Sequence, residues 1–133
     1  MVQLNPYLTF GGTCRDAMTF YQQCLGGELT METVGESPAA PGFPAEVHDQ
    51  ILHSQLASGN MVLMAADAVD GSAVIPGTTI TVCINSATRD EIRAYFEKFA
   101  EGATVHTPLQ DEFFGMYGML TDKFGINWMF QAN

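Results

Sequence analysis

The segment VHDQILHSQL, residues 47–56, contains two of the three histidines of the chain, His48 and His53. Imidazole is a common metal ligand, and it also takes up or releases a proton near neutral pH. The two histidines are five positions apart, and a strand places residues separated by an odd number on opposite faces. The spacing therefore predicts that His48 and His53 do not share a metal ion unless a bulge lies between them.

The three cysteines, Cys14, Cys24 and Cys83, are widely spaced and form no C-x-x-C pair. This usage is typical of small buried or half-buried thiols in a reducing compartment. Cys14 lies near a predicted helix start, where the helix dipole favours a thiolate. It is therefore the one cysteine considered as a nucleophile.

Charge limits the classes of partner. The 133 residues include 5 Lys and Arg against 15 Asp and Glu, for a net charge of −10. This excess repels polyanions and argues against nucleic acid and anionic membranes as partners. It increases solubility, and it would also attract a cationic ligand; both interpretations stay open. No apolar run reaches the roughly 18–20 residues of a membrane span, and MVQLNPYLTF does not resemble a signal peptide, so a cytoplasmic single domain is expected.

Hydrophobic periodicity defines the elements of the first half. Alternation in LNPYLTF predicts a strand over 4–10. Thr13 with Asp16 predicts a helix N-terminus, and the glycines at 26–27 predict its end. Further strands are predicted over 28–34, 47–57 and 60–67. The segment 35–46, with three prolines and two glycines, is predicted to be a mobile loop.

The second half repeats this order. A strand is predicted over 79–85, and Thr88 with Glu91 forms a capping box. The helical stripe Ile92, Tyr95, Phe96 and Phe99 has the internal spacing of 17, 20, 21 and 24 in the first half. Strands are predicted over 103–107, 113–122 and 126–132. A β-α-β-β-β order that occurs twice indicates an α+β fold of two modules, about 3–67 and 78–133.

One helix per module covers only one face of each sheet, so the bare faces must meet each other, water or a ligand. The expected architecture is a cupped, partly open mixed sheet. Its lining is predicted to combine methionines with scattered hydrogen-bonding groups: Asn5, Tyr7, Thr9, His53, Gln55, Met64, Thr79, Thr81, Cys83, Met129 and Gln131. Such a lining suits a small organic ligand, and it could also only fill the sheet interior.

His53 is the one histidine expected in this cup. It is a candidate acid–base group, or else a histidine satisfied by a neighbouring hydroxyl. Tyr7 and Tyr117 could supply a phenol, and the stretch FFGMYGM around Tyr117 could let backbone approach a ligand closely. His106 is predicted to be a surface residue, and Asp111 and Glu112 to be loop charges.

Several segments carry a family resemblance: NPYLTF, CRDAMTFYQQCLGGEL, ILHSQLASGNMVLMAAD and PLQDEFFGMYGMLTDKFGINWMF. They resemble the PhnB-like group of the vicinal oxygen chelate superfamily, which includes glyoxalases, extradiol dioxygenases, and fosfomycin- and bleomycin-resistance proteins. The resemblance implies a glyoxalase-like fold and a homodimer. A methyltransferase activity, with which that group is often labelled, is not expected, because no glycine-rich adenosylmethionine loop is present.

The resemblance also implies where metal ligands would stand, on the first and last strands of each module. The matching positions hold Asn5, Met64, Thr79 and Met129, and these side chains suit divalent cations poorly. The expected function is therefore binding of a small organic molecule with no tightly held metal and no cofactor, and whether a reaction follows stays open. Two alternatives remain: a metal-dependent lyase, isomerase or dioxygenase, and an antibiotic-sequestering protein like the bleomycin-resistance members.

Overall fold

The computed structural model describes residues 1–86 and 88–133. The chain divides into two compact units, Met1–Ile75 and Pro76–Asn133. Each unit contains one helix and one four-stranded mixed sheet in the order β-α-β-β-β. The predicted α+β class with two similar modules is therefore confirmed, while the single domain and the cup stay predictions.

The first unit contains β1 (Tyr7–Phe10), α1 (Cys14–Leu25), β2 (Glu28–Thr33), β3 (Ile51–Ser58) and β4 (Met61–Asp67). The strand order is β1-β4-β3-β2, with β1 parallel to β4 and the other pairs antiparallel. The predicted loop 35–46 is partly regular, because 3₁₀ turns form over Ala40–Gly42 and Ala45–Val47.

The second unit contains β5 (Val82–Ser86), α2 (Arg89–Phe99), β6 (Thr104–Glu112), β7 (Gly115–Thr121) and β8 (Asn127–Ala132). Its strand order, β5-β8-β7-β6, has the same form as that of the first sheet. β5 runs parallel to β8, and the other pairs are antiparallel.

Each helix packs on one face of its own sheet. The Sγ of Cys14, at the start of α1, lies 3.5 Å from the Oγ of Ser54 on β3. In the second unit the ring of Phe99 lies 4.6 Å from that of Trp128. Beneath α2, a Cβ added at Gly118 would lie 3.0 Å from a ring carbon of Phe96, so a side chain there would displace the helix from β7. Residues that alternate with Ser54, Trp128 and Gly118 therefore point away from the helices.

The two helix N-termini are capped differently. Thr88 accepts a hydrogen bond from the Glu91 amide at the start of α2, so the predicted N-cap is confirmed, while the Thr88 amide donates to Ser86 Oγ and not to the Glu91 carboxylate that a full capping box would use. Thr13 occupies the N-cap position of α1, so the predicted helix start is confirmed, but its side chain makes no cap hydrogen bond. The carboxylate of Asp67, from the end of β4, accepts the backbone N–H groups of Gly12 and Cys14 instead. Neither helix, with 12 and 11 residues, is long and apolar enough to cross a membrane, and the rest of the described chain adds none.

The opening strand of each module begins later than alternation predicts. Asn5 precedes β1, and Thr79 and Thr81 precede β5, so the strand positions predicted for them are wrong. Leu4 and Ile80, which alternate with the predicted lining residues Asn5, Thr79 and Thr81, are 99% and 77% exposed. Before β5, a side chain takes the place of the strand-to-strand backbone hydrogen bonds: the amide of Asn127 donates to the carbonyls of Gly77 and Ile80.

The β6–β7 hairpin also differs from its prediction. β6 extends to Glu112, so Asp111 and Glu112 lie on a strand and not in a loop. β7 begins at Gly115, which leaves Phe113 and Phe114 in the hairpin turn, 100% and 55% exposed. The turn therefore presents two aromatic rings to solvent beside the end of the second sheet.

Candidate functional site

The sheet face of the first unit that points away from α1 is called here the first open face. The β-ladder register aligns Tyr7 with Met64, Met64 with Gln55, and Gln55 with Thr30 across all four strands. In the neighbouring row, His53 on β3 stands opposite Glu32 on β2. This face therefore holds a phenol, an imidazole and a carboxylate, with a thioether and an amide beside them.

His53 and Tyr7 are in direct contact. The Nδ1 of His53 lies 3.1 Å from the Tyr7 hydroxyl, and their ring centroids are 5.8 Å apart. The sequence suggested a neighbouring hydroxyl as a partner for His53 without identifying it, and this hydroxyl is that of Tyr7. The Tyr7 side chain reaches across β4 to make the contact. Partial burial raises the pKa of Tyr7, so the phenol keeps its proton at neutral pH.

His48 has a different role from His53. It precedes β3, so the strand-parity argument does not apply to it. Its Nε2 lies 3.1 Å from the carbonyl oxygen of Ala40 and 3.0 Å from that of Phe43. Since both partners are acceptors, Nε2 carries a hydrogen and donates to them. His48 therefore ties the β2–β3 connection together.

The corresponding face of the second unit, away from α2, is called the second open face. One row aligns Cys83, Met129, Met119 and Thr107, and the next aligns Asn85, Gln131, Tyr117 and Gln110. The Asn85 amide donates to Gln131 Oε1 at 3.4 Å, and the Cys83 thiol donates to Asn85 Oδ1 at 3.5 Å. The face is thus dominated by neutral polar groups.

A cavity of about 350 Å³ lies at the end of this second sheet, where β5 and β8 finish and β7 begins. Its lining combines amide, hydroxyl, aromatic and thioether groups: Asn85, Ser86, Phe114, Met116, Gln131, Ala132 and Asn133. Beside it, Arg89 donates to the backbone oxygen of Asn133 at 3.1 Å and forms an ion pair with Asp111. The Arg89 guanidinium is thus already engaged by other groups of the chain.

Some of the residues that line this cavity were not predicted from the sequence. Gln131 was predicted in the lining, and Phe114 was noted as a residue of the FFGMYGM stretch. Asn85, Ser86 and Met116 were not assigned to the site. Asn85 alternates with Cys83 on the predicted strand, and that signal could have found it. Ser86 and Met116 belong to the opposite parity, and they reach the cavity because the strands end there.

Other predicted residues lie elsewhere. Thr9 is exposed on β1, two positions from Tyr7 along the first open face. His106 is exposed on β6, with Nε2 2.7 Å from the Thr121 hydroxyl. Cys83 is exposed, whereas Cys14 and Cys24 are buried as predicted. Burial raises the pKa of Cys14 to about 11, so the thiolate expected from the helix dipole does not form at neutral pH.

The residues at the family's metal positions do not fit a divalent cation. Met64 and Met129 lie on the open faces, and Asn5 and Thr79 precede their strands. Thioether, amide and hydroxyl groups are weak ligands for such ions. Throughout residues 1–86 and 88–133, no three His, Cys, Asp or Glu side chains are grouped as metal ligands would be.

The two units differ in charge. The first carries one basic residue, Arg15, against eight Asp and Glu (1 − 8 = −7), and the second carries four against seven (4 − 7 = −3). The three ion pairs found among the described residues, Arg89–Asp111, Arg93–Asp90 and Lys123–Glu101, all belong to the second unit. The acidic character is therefore concentrated in the unit that carries His53.

Comparison with known proteins identifies the family. The model of the Glyoxalase/Bleomycin resistance protein/Dioxygenase superfamily matches residues 3–130. Protein YjdN of Escherichia coli K12 is 31% identical over 137 residues, which cover 95% of this chain and 92% of YjdN. The crystal structure of protein PA1353 from Pseudomonas aeruginosa is 36% identical with a TM-score of 0.90, and the match covers 100% of this chain and 98% of PA1353.

A more distant likeness shows the fold alone. A solved Bacillus cereus protein, described as a putative 3-demethylubiquinone-9 3-methyltransferase and PhnB protein, is 18% identical with a TM-score of 0.78. The match covers 99% of this chain and 100% of that protein. With two β-α-β-β-β modules and a family model that spans nearly the whole sequence, the chain belongs to the Glyoxalase/Bleomycin resistance protein/Dioxygenase superfamily.

Proposed function

We propose that this chain binds a small, neutral organic molecule in the cavity at the end of the second sheet, without a tightly held divalent metal. The observation that carries the proposal is the cavity itself, about 350 Å³ with a mixed polar and apolar lining. Pockets for small ligands typically measure 300–1,000 Å³ and combine apolar walls with a few placed polar groups.

The polar groups define the chemistry of the ligand. Gln131 Oε1 already accepts hydrogen bonds from Asn85 and Cys83, which leaves the Gln131 NH₂ group as a donor. Asn85 Oδ1 accepts only from the weak thiol donor of Cys83 among the contacts found. A donor and an acceptor side by side complement an amide or lactam. Phe114 and Met116 supply apolar contacts for a ring.

Charge and donor chemistry support a neutral ligand without a metal. The net charge of −10 disfavours anions at long range. Amide oxygen and thioether sulfur without carboxylate or imidazole partners hold divalent cations weakly.

Two-dimensional NMR of ¹⁵N-labelled protein tests the cavity, with neutral aromatic amides as probes and benzamide as the first. We expect the shift changes to cluster on Asn85, Ser86, Phe114 and Gln131. Gln131→Leu should weaken benzamide binding by about tenfold, since one hydrogen-bond donor is lost. Gln110→Leu is the matched control, on the same row of the same sheet but outside the cavity, and it should bind as the wild type does. Shift changes spread over the surface, or equal binding by both variants, would overturn the proposal.

Elemental analysis tests the absence of a metal. The protein is incubated with Mn²⁺, Ni²⁺ and Zn²⁺ in turn and dialysed, and the bound metal is counted per chain. We expect far less than stoichiometric retention for each ion. Retention of one ion per chain would support the metal-dependent alternative instead.

We further propose a homodimer, because each four-stranded sheet is open, with β1 and β2 at the edges of the first and β5 and β6 at those of the second. Unpaired edges favour association unless they are covered. Light scattering should give twice the chain mass of 14.4 kDa, and the chain mass itself would contradict a dimer.

A further inference from the structure

Three side chains on the second open face are hydrogen-bonded to one another, and we call them the amide triangle: Cys83, Asn85 and Gln131. Cys83 and Asn85 lie two positions apart on β5 and therefore share a face. The β5–β8 ladder aligns Asn85 with Gln131. Of the three, Asn85 and Gln131 line the cavity, so Cys83 can influence a bound molecule through these two amides.

Each contact in the amide triangle has a defined donor. The Cys83 thiol lies 3.5 Å from Asn85 Oδ1 and 3.7 Å from Gln131 Oε1, and it shares its one hydrogen between these oxygens. The Asn85 amide donates to Gln131 Oε1 at 3.4 Å. Burial raises the pKa of Cys83, so the thiol keeps its hydrogen at neutral pH. Both amide oxygens therefore face the thiol.

The orientations of the two amides are coupled. Turning over Gln131 alone would bring its NH₂ group against that of Asn85, and two donors in contact are unfavourable. Turning over both amides would direct their NH₂ groups at sulfur, which is a weak acceptor, and would leave the thiol hydrogen without an oxygen. The contact between the two amides is present in both arrangements, so the thiol hydrogen decides between them.

The arrangement that the thiol selects leaves more donors than acceptors for a bound molecule. Gln131 Oε1 already accepts from two donors, and among the contacts of the described residues both hydrogens of its NH₂ group are unused. Asn85 retains one N–H hydrogen and one lone pair in the same set of contacts. Ser86 does not alter this balance, because its hydroxyl donates to Glu91 and accepts from the Thr88 amide.

The charges near the cavity decide which kind of acceptor these donors suit. N–H groups bind either an anion or a neutral carbonyl oxygen. Arg89, beside the cavity, is held by Asp111 and by the backbone oxygen of Asn133, and the net charge of −10 repels anions. A neutral carbonyl oxygen is therefore the acceptor that fits.

We propose, resting on the cavity as the binding site, that Cys83 is a positioning residue that gives this cavity its surplus of N–H donors. The ligand class is a neutral carbonyl compound, bound through its oxygen to the amides of Gln131 and Asn85. The thiol does not contact the ligand and takes part in no reaction. It acts by keeping the two amide oxygens occupied, so that the N–H groups remain for the ligand.

Two neutral aromatic probes of similar size test the ligand class, by NMR titration of ¹⁵N-labelled protein. Acetophenone carries a carbonyl acceptor and no donor, whereas indole carries an N–H donor and no strong acceptor. We expect the wild type to bind acetophenone about fivefold more tightly than indole, since acetophenone makes one more hydrogen bond. Equal affinities, or a preference for indole, would overturn the proposal.

Substitutions of Cys83 test whether the thiol sets this preference. Cys83→Ser keeps a donor and should preserve it. Cys83→Asp replaces the donor with a carboxylate, which only accepts, so both amides should turn their NH₂ groups to it and the preference should change to indole. Thr107→Asp is the matched control, because it adds the same charge to the same row of the sheet outside the amide triangle, and it should bind as the wild type does.

Cys83→Ala gives the same test without a new charge. It removes the hydrogen that decides between the two arrangements, so the affinities for acetophenone and indole should come within about twofold of each other. A Cys83→Ala protein that keeps the full preference of the wild type would show that the thiol does not set it.

The side-chain NH₂ resonances of Asn85 and Gln131 give a readout without any ligand. In Cys83→Asp both should move downfield, because the NH₂ groups then donate to a carboxylate, whereas Cys83→Ser should leave them near their wild-type positions. A purely structural role for Cys83 would weaken both probes equally and leave these resonances in place, which would contradict the proposal.

Benzamide binding separates the two proposals. A wild type that binds benzamide in the cavity but shows no preference between acetophenone and indole leaves the cavity proposal standing and removes the role of Cys83. A wild type that binds none of the three molecules removes the cavity as a binding site, and with it the ligand class.

Discussion

The two units share one strand order, yet they stabilise their helices by different means. In the second unit, Thr88 and Glu91 cap α2 from within its own first turn. In the first unit, Asp67 caps α1 from the far end of the module and also accepts the amide of Ile51 with its second oxygen. The same topology thus permits a local cap in one copy and a long-range cap in the other.

The open faces differ in the same way. The first collects ionisable groups, Tyr7, His53 and Glu32, in the more acidic unit. The second collects neutral groups, Asn85, Gln131 and Cys83, beside the cavity. The two modules thus share a scaffold, and their open faces carry different side-chain chemistry.

The largest effect should come from Asp67→Ala. It leaves the amides of Gly12, Cys14 and Ile51 without their acceptor, and we expect a loss of about 4 kcal/mol in the free energy of unfolding. Urea denaturation measures the loss. Asp70→Ala, three residues on in an exposed turn, is the control and should change little. Equal effects of the two substitutions would show that α1 does not depend on the long-range cap.

The buried thiol of the first unit should add a pH dependence. Burial raises the pKa of Cys14 from 9.0 to about 11, so its contribution to stability is complete below pH 9 and is lost as the pH rises through about 11. The loss should reach about 3 kcal/mol at most, given 1.36 kcal/mol per pKa unit. Unfolding of the wild type and of Cys14→Ala across this range measures it. If the two proteins lose stability in parallel, Cys14 is not responsible.

A third test concerns the close approach of α2 to its sheet. Gly118→Ala puts a Cβ 3.0 Å from Phe96 and 3.1 Å from the backbone of Leu109, which should cost about 2 kcal/mol of unfolding free energy. Gly77→Ala serves as the control, because nothing lies within 4 Å of its added Cβ. Thermal denaturation compares the two variants, and a neutral Gly118→Ala would mean that α2 moves away at no cost.

The smallest expected effect comes from substitutions that compare the two helix caps directly. Thr88→Ala removes a side-chain cap and should cost about 1 kcal/mol of unfolding free energy. Thr13→Ala at the matching position of α1 should cost less than about half of that, since Thr13 makes no side-chain cap. Equal losses, measured by denaturant titration, would remove the distinction between local and long-range capping.

A feature could be predicted from the sequence when its interacting residues lie close together along the chain, and could not when they lie far apart. The Thr88 cap was predictable because Thr88 and Glu91 are three residues apart, whereas the cap of α1 was not, since Asp67 lies 53 residues from Cys14. The alternation of apolar and polar residues placed Asn5 and Thr79 on strands, but both residues precede the strands that form. Such alternation contains no information on where a neighbouring strand ends. The side chain of Asn127, some 50 residues from Gly77, decides that boundary instead.

The candidate sites follow the same rule. Residue type made His53 a candidate, but its contact with Tyr7 spans 46 positions and crosses β4, so no local pattern predicts it. Gln131 was found by parity, while Ser86 and Met116 have the opposite parity and enter the cavity only because β5 ends and β7 begins there. Periodicity therefore predicts the interior of a sheet better than its ends.

The position of Asp67 also sets an order of assembly during synthesis. On the ribosome, α1 emerges long before β4, so its first turn lacks an acceptor for two N–H groups until residue 67 has left the exit tunnel. The helix of the second unit meets its own cap as soon as Glu91 appears. The helix of the N-terminal unit therefore acquires its cap only after the last strand of that unit has emerged, whereas the helix of the C-terminal unit can be capped as soon as its own first turn has emerged.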